Sequence, residues 1–463
     1  MSFEITITIC FILLSMGIIF LTLIIKHAFS LVHAAFFVLF VQGVHLVRLF
    51  NVTNNSYESA TYILSHFVTF FYLVIFYLCL LMFKKWLAPN IQILNSTLHI
   101  PDIFLISAFT GWLAFKLYLF ITYGANAFSA TKFLGSSNLL SSKAWWENPM
   151  EFYLTTFAIG ASVSYVIKLF AIRRYAYNLP VTLFFVLFNT IYVITHSTDL
   201  GPRRYIVLLF LIYISLLVWR DWKIILNFRY WSKFVVPALI IGGMLFYYQS
   251  IRTNFYLPEI ATKLRSQSIT QFSEGLFQVL IPVPEPRRII FEVPFFREGP
   301  FDLIYEIIEK RVNGHPGTDG KILQNSFLLI IPKLIAGPSK TTISTDRIIS
   351  SEMGILPVGS SSASNNDLPT SLLAVFIADF GWPGFFFPPI IIALGLVFFS
   401  VTPKSSYISA SIKTLFFLSA LLSFAGNVEG DLVSVFSISR DAGILMLVLL
   451  PVHFFETTLK RYK

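Results

Sequence analysis

The sequence predicts an all-α polytopic membrane protein with about eleven transmembrane helices and one large extracytoplasmic loop domain. Three observations predict it. Charged residues make up 13% of the chain and hydrophobic ones 56%, where a soluble chain carries about 25% charged residues. The apolar residues fall in runs of about 20, the length that crosses a bilayer as a helix. One hydrophilic stretch, roughly 252–370, separates the first eight runs from the last three.

The runs place spans at 5–25, 28–49, 60–83, 103–123, 151–171, 179–197, 203–219, 234–251, 370–400, 407–425 and 432–455. The first reads as a span and not as a signal peptide, because no basic segment precedes it and no small-residue cleavage site follows. Basic residues gather at alternate span ends: Lys26; Lys84 and Lys85; Arg173 and Arg174; Arg220, Lys223, Arg229 and Lys233; Lys404; Lys460, Arg461 and Lys463. Short cytoplasmic loops collect Lys and Arg. The expected topology is therefore N-terminus out, C-terminus in, with the hydrophilic insert outside. The chain divides into an N-terminal bundle (1–251), an extracytoplasmic insert (252–369) and C-terminal spans (370–463).

Charge and cysteine usage exclude several functions. The net charge of +10 sits at span ends, while the insert holds twelve Lys/Arg against twelve Asp/Glu. Nucleic-acid binding is not expected. Cys10 and Cys79 lie in apolar runs, so neither staples the insert, and no CxxC metal or redox motif exists. Within the insert, Phe301–Val312 carries Ile304, Ile307 and Ile308 on one face and a Glu306/Lys310 pair, which predicts a short amphipathic helix. Thr262–Leu280 is a second candidate helix. The segment PVPEPRRIIFEVPFFREGP holds too much proline for regular structure, and Val358–Asp367 reads as a loop.

The sharpest local signal is HSTDLGPRRY, His196–Tyr205. Gly201-Pro202 starts a helix, which puts Arg203 and Arg204 in its first turn on the outer side. The helix N-terminus is already partly positive, outer loops avoid basic residues, and adjacent like charges repel. A bound anion would reverse all three penalties; snorkelling of two long side chains is the alternative. Arg440 follows Asp431 by nine residues (440 − 431), about 14 Å down the last span. It is read either as a second anion contact or as half of a buried ion pair, with Asp379 as the partner. Asp441 is adjacent but expected to point elsewhere on the helix. Asp379 itself precedes Gly381, Pro383 and Gly384, which break or kink the ninth span. It reads as a base, an arginine-orienting group, a cap or an ion-pair partner.

In the insert, Arg287, Arg288, Lys333, Lys340 and Arg347 are candidate phosphate or sugar contacts, and His315 in GHPGTDG is a candidate base. Solvated charge is the plainer reading of each. Gly314–Lys321 is not a P-loop: five residues separate its glycines and Ile322 follows the lysine. Glu429 and Asp431 are a weak divalent-cation candidate without further acidic partners. No cofactor and no metal are expected. Lys116, Arg48, His33, His45 and His66 read as interfacial or core residues.

Four pieces, in order, resemble the bacterial oligosaccharide repeat-unit polymerases (Wzy-type) of O-antigen, capsule and exopolysaccharide systems. They are Gly201-Pro202-Arg203-Arg204 at the outer start of a middle span; IPKLIAGPSK, Ile331–Lys340, late in the insert; Pro369-Thr370 followed by Asp379-Phe380-Gly381-Trp382-Pro383-Gly384; and a late span with Glu429, Asp431 and Arg440. The chain departs from the pattern at Lys333, where the family often has arginine, and at Ala374 and Val375, where an acidic residue is common. The resemblance implies glycosyl transfer at the outer face of the bacterial cytoplasmic membrane. A growing glycan on undecaprenyl diphosphate would pass to a sugar hydroxyl of a newly flipped lipid-linked repeat unit. It implies that arginines stabilise the diphosphate leaving group, that a carboxylate or histidine takes the acceptor proton, and that Trp145, Trp146, Tyr256 and Tyr305 stack on sugars. A flippase and a chain-length regulator are the implied protein partners. An O-antigen ligase, a lipid-linked sugar flippase or transporter, and a non-catalytic scaffold are the competing readings.

Overall fold

The computed structural model describes residues 3–51, 57–123, 146–172, 178–195, 201–221, 258–265, 269–279, 299–331, 345–355, 370–400, 408–428 and 432–461. Every regular element among them is helical. In chain order these are α1 (Phe3–Thr22), α2 (Ala28–Phe37), a π-helical turn (Val38–Gly43), α3 (Val44–Asn51), α4 (Ser59–Met82), α5 (Asn90–Leu98), α6 (Asp102–Tyr123), α7 (Glu147–Ile172), α8 (Leu179–Thr195) and α9 (Gly201–Arg220). The insert supplies α10 (Pro258–Arg265), α11 (Ile269–Val279), α12 (Pro300–Val312), α13 (Lys321–Ile330) and α14 (Thr345–Met353). Then follow α15 (Leu372–Phe380), a 3-10 turn (Trp382–Phe386), α16 (Phe387–Ser400), α17 (Ile408–Ala425) and α18 (Leu432–Arg461).

Seven of the described helical segments are long and apolar enough to cross a membrane: Phe3–Ile25, Ala28–Phe50, Ser59–Met82, Asp102–Tyr123, Pro149–Ala171, Trp382–Ser400 and Val435–Glu456. Leu179–Tyr192, Tyr205–Arg220 and Ser409–Ala425 are shorter apolar helices. The chain is an α-helical polytopic membrane protein. The expected span 234–251 lies outside the described residues. The expected helix over Thr262–Leu280 is two helices, α10 and α11, and the expected span 370–400 is interrupted at Gly381.

By packing, the chain divides into two units. One joins Met1–Gln92, Val293–Thr402 and Ala420–Lys463; the other joins Ile93–Glu292 and Pro403–Ser419. In the second unit α6, α7, α8 and α9 pack on one another. Its buried lysines are matched to carboxylates: Lys116 meets Glu151, and Lys168 donates to Asp102 at 2.9 Å and to the Ile100 carbonyl at 2.6 Å. A charge at membrane depth needs such a partner.

The first unit packs α4 against α1 and α16, and seats α12 on α4 and α15. Helix α12 is therefore a hydrophilic-insert helix built into the apolar bundle. Phe301, Ile304, Ile307 and Ile308 are completely buried, as the predicted apolar stripe requires. Complete burial of such side chains stabilises by about 1.5–3 kcal/mol each.

Candidate functional site

Helix α12 begins at Gly299-Pro300, with Pro at a position where its missing N–H costs nothing. The Asp302 carboxylate turns back to accept the Gly299 N–H at 2.8 Å. That is half of a capping box, since Gly299 has no side chain to reciprocate. The same carboxylate takes three more donors. His45 Nδ1 lies 3.0 Å and the Tyr57 hydroxyl 3.0 Å from Oδ1, and Arg48 Nη1 lies 2.7 Å from Oδ2. Four donors on one buried carboxylate satisfy it as an anion.

Helix geometry explains how these groups meet. His45 and Arg48 are three residues apart, so they share a face of α3. The π turn Val38–Gly43 immediately before them carries an extra residue per turn and resets which face α3 presents; such turns recur at functional sites. Tyr62 and His66, four apart on α4, share a face of that helix. His45 Nε2 is 2.8 Å from the Tyr62 hydroxyl, which is 2.7 Å from Thr8 Oγ1 of α1; Thr8 in turn is 3.2 Å from His66 Nε2. Phe301 lids the group, with ring centroids 4.2 Å from His45 and 4.3 Å from His66. Thr8, His45, Tyr62 and His66 are completely buried.

Electrostatics follow from the partners. Burial alone would raise the Asp302 carboxyl. Its hydrogen bond and charge contact with His45, then Arg48 and the Gly299 N–H, outweigh that and hold it at about 2, against an ordinary 3.8. Tyr57 is pushed up by burial and then by the Asp302 charge. Tyr305, one turn along α12, is raised to about 12, chiefly by burial and further by Glu309, to which it donates at 3.1 Å. Both phenols are held as donors.

The other end of α12 carries a second junction. Arg311 Nε donates to the Ile377 carbonyl at 3.3 Å, Nη2 to Ala378, and Nη1 to His315 at 3.5 Å and to Pro316. Ile377 and Ala378 lie in the last turn of α15, where carbonyls run out of partners within the helix, and His315 and Pro316 belong to the turn after α12, so the guanidinium joins the two. Burial lowers the guanidinium, and the charges of Asp319 and Asp379 only partly counter it. Asp379 points the opposite way and caps α13. It accepts from Thr318 Oγ1, from Ile322 N at 3.1 Å and from Leu323 N at 2.8 Å. The residue before α13 is Gly320, which has no capping side chain, so a carboxylate distant in sequence performs that role. Just beyond, Gly381 has φ 65° and ψ −143°, a conformation open to glycine, and it turns the chain from α15 into the 3-10 segment.

The residues singled out in the sequence are distributed as follows. Arg203 and Arg204 fall in the first turn of α9, which begins at Gly201 as expected, but their side chains lie outside the described residues. Arg287, Arg288, Lys333, Lys340, Glu429 and Asp431 also lie outside them. Arg347 is exposed on α14. His315 accepts the Gly317 N–H on Nδ1 at 3.0 Å, so it is tied into its own turn. Asp379 is a cap and does not pair with Arg440. Arg440 instead contacts Asp441, Nε to Oδ1 at 2.9 Å. That corrects the expectation that Asp441 points away: the long arginine stem folds back along the helix to reach its neighbour.

Asp302 and Arg311 were not singled out by sequence. Asp302 had only a weak signal, a first-turn acid beside the apolar stripe Phe301, Ile304, Tyr305, Ile308. His45/Arg48 and Tyr62/His66 had one too, as polar pairs at helical spacing in apolar runs. Among the described residues, no group of His, Cys, Asp and Glu is arranged to hold a metal ion. No family model, no curated protein and no solved structure matches the chain.

Proposed function

We propose that this chain polymerises undecaprenyl-diphosphate-linked oligosaccharide repeat units by glycosyl transfer at the outer face of the bacterial cytoplasmic membrane. The observation that carries the reading is the start of α9 at Gly201, which gives Arg203 and Arg204 the first turn of an apolar helix. The first-turn N–H groups of a helix, which have no partner within it, and two guanidiniums would suit a diphosphate leaving group. A charge-assisted contact of this kind contributes roughly 1.5–3 kcal/mol, so losing one lowers the rate about ten- to a hundredfold. The break at Gly381, fastened to the insert by Arg311 and Asp379, fits the broken helix that the same reading expects. Glycan donor and acceptor are the partners in this reading, with a flippase upstream and a chain-length regulator alongside.

The test is separate Ala replacement of Arg203 and Arg204 in the native host, with surface polysaccharide run on a gel. Loss of long-chain ladders at normal protein levels is expected; unchanged ladders sink the reading. Conversion of a defined lipid-linked repeat by purified protein, with and without EDTA, then settles reaction and metal use. A second reading, a proton-coupled transporter of lipid-linked sugars, is favoured by the buried Asp302–His45–Tyr62 chain. Its signature is unpolymerised repeat accumulating on the inner leaflet.

A further inference from the structure

We propose that His45 is a proton-binding residue buried inside the helical bundle, with Asp302 holding its Nδ1–H and its Nε2 exchanging a proton with the Tyr62–Thr8–His66 chain. The inference goes beyond the polymerase reading and stands without it.

The geometry fixes the protonation pattern. Asp302 is an anion satisfied by four donors, one of them His45 Nδ1 at 3.0 Å. His45 therefore carries hydrogen on Nδ1, and in the neutral ring Nε2 is left with its lone pair. That lone pair meets the Tyr62 hydroxyl at 2.8 Å. Tyr62 continues to Thr8 at 2.7 Å, and Thr8 to His66 Nε2 at 3.2 Å. The chain thus has an imidazole at each end and two hydroxyls between, each able to donate and accept.

The two imidazoles are not equivalent. His45 would hold a second proton beside the Asp302 anion. His66 Nδ1 has no hydrogen-bond partner among the described residues, so a second proton there would bury an unsatisfied N–H. The proton therefore resides on His45. The titratable groups against it are Asp302 on α12, Tyr57 ahead of α4, and Tyr62 and His66 on α4; one contact further out, Arg48 meets Asp302, Tyr305 packs on Tyr62, and Tyr62 reaches the backbone carbonyl of Glu4. Ionisable chains of this kind inside membrane bundles mark proton relays.

Loading has a structural consequence. Once Nε2 carries hydrogen, Tyr62 cannot donate to it. The acceptors left are Thr8 Oγ1 and the Glu4 carbonyl at 3.4 Å, both on α1. The proton comes from water and nothing is oxidised or reduced.

The test is pH-jump infrared difference spectroscopy on the purified full-length protein with ¹⁵N-labelled histidine, in wild type, His45→Gln, Tyr62→Phe and His66→Gln. Subtracting the His45→Gln difference spectrum from the wild-type one should leave imidazole protonation bands with a matching carboxylate shift from Asp302. His66→Gln should keep them. Tyr62→Phe, which retains ring packing, should keep them but slow their rise at least tenfold. Identical spectra for wild type and His45→Gln overturn the proposal. If His45→Gln does not fold, unchanged band position and rate in Tyr62→Phe overturn it equally. A lost band with intact polysaccharide ladders would leave the proton site standing and count against a role for it in polymerisation.

Discussion

The two ends of α12 solve the same problem differently. Each attaches a helix of the hydrophilic insert to an apolar bundle through one charged side chain, buried at the first end and half-buried at the second. At the N-terminal end the charge is Asp302, met by Arg48, an imidazole, a phenol and one backbone N–H. At the C-terminal end it is Arg311, met by four backbone carbonyls and no carboxylate within ion-pair distance among the described residues. The first junction is made of groups that can gain, lose or pass protons. The Arg311 clasp of the second is a guanidinium on carbonyls, which do not. The difference teaches where chemistry can reside: a guanidinium tied to carbonyls fixes the break at Gly381, while an acid–imidazole–phenol chain can change state without coming apart.

The comparison breaks first at Asp302. Replacing it with Ala leaves Arg48 without this carboxylate in a buried site, and removing one partner of a buried pair costs about 3–5 kcal/mol. Asp302→Ala should show the largest fall in thermal unfolding temperature of any single change named here, with Asp302→Asn in between. Arg311→Ala should cost less, about 1–3 kcal/mol, because the freed carbonyls lie beside a turn that water can reach. If Arg311→Ala proves the more damaging, the C-terminal clasp and not the acidic centre anchors α12.

Gly317→Ala sharpens the same contrast. Its φ is +84°, and an added Cβ would lie 2.0 Å from Arg311 Nη2 and 2.4 Å from the Ala378 carbonyl. Overpacking and backbone strain together cost about 1–3 kcal/mol. Because the methyl acts by displacing the guanidinium, the double change with Arg311→Ala should be clearly less than additive in thermal unfolding. Full additivity would mean that the turn and the clasp are independent.

Acid separates the two ends. The Asp302 carboxyl sits at about 2 when folded and near its ordinary 3.8 when unfolded. A depressed folded value stabilises above the unfolded value and is lost as pH falls through the folded one. The N-terminal junction should thus be at full strength above about pH 5 and weaken between about pH 4 and 2, by on the order of 2 kcal/mol. Amide exchange at the start of α12 should rise over that window before it rises at the end bearing Arg311. Simultaneous loss of protection would show that the helix undocks as one piece.

Much of this was legible beforehand, for reasons particular to each element. Runs of about 20 apolar residues marked the membrane class, and Gly201-Pro202 marked the start of α9 because both residues act locally. The stripe Ile304, Ile307, Ile308 marked α12 for the same reason. What the stripe could not convey was its environment: a periodic helix reads alike whether it floats on a surface or sits inside a bundle. Asp302 looked like an acid in the first turn of a helix, and its partners His45 and Arg48 lie more than 250 residues away. Sequence alone pairs Asp379 with Arg440, because both are charges in apolar runs. In the fold it caps α13, since Gly320 cannot cap its own helix, and no local pattern announces a remote cap.

That cap gives the smallest and most local test. Asp379 receives one hydroxyl, from Thr318, and two backbone N–H groups, from Ile322 and Leu323. Thr318→Val removes the hydroxyl, keeps the shape and leaves both N–H contacts. Losing one hydrogen bond of this kind costs about 1–2 kcal/mol, and the carboxylate stays partnered, so the global unfolding temperature should barely move. The effect should appear in the amides of Ile322 and Leu323, whose exchange should quicken about tenfold, while amides at the start of α12 stay unchanged. Asp379→Asn should quicken the same two amides further, because a neutral amide oxygen accepts more weakly and its NH₂ repels the helix N-terminus. If Thr318→Val instead loosens the Asp302 end of α12, the two junctions are one cooperative structure, and the division between a fixed end and a titratable end fails.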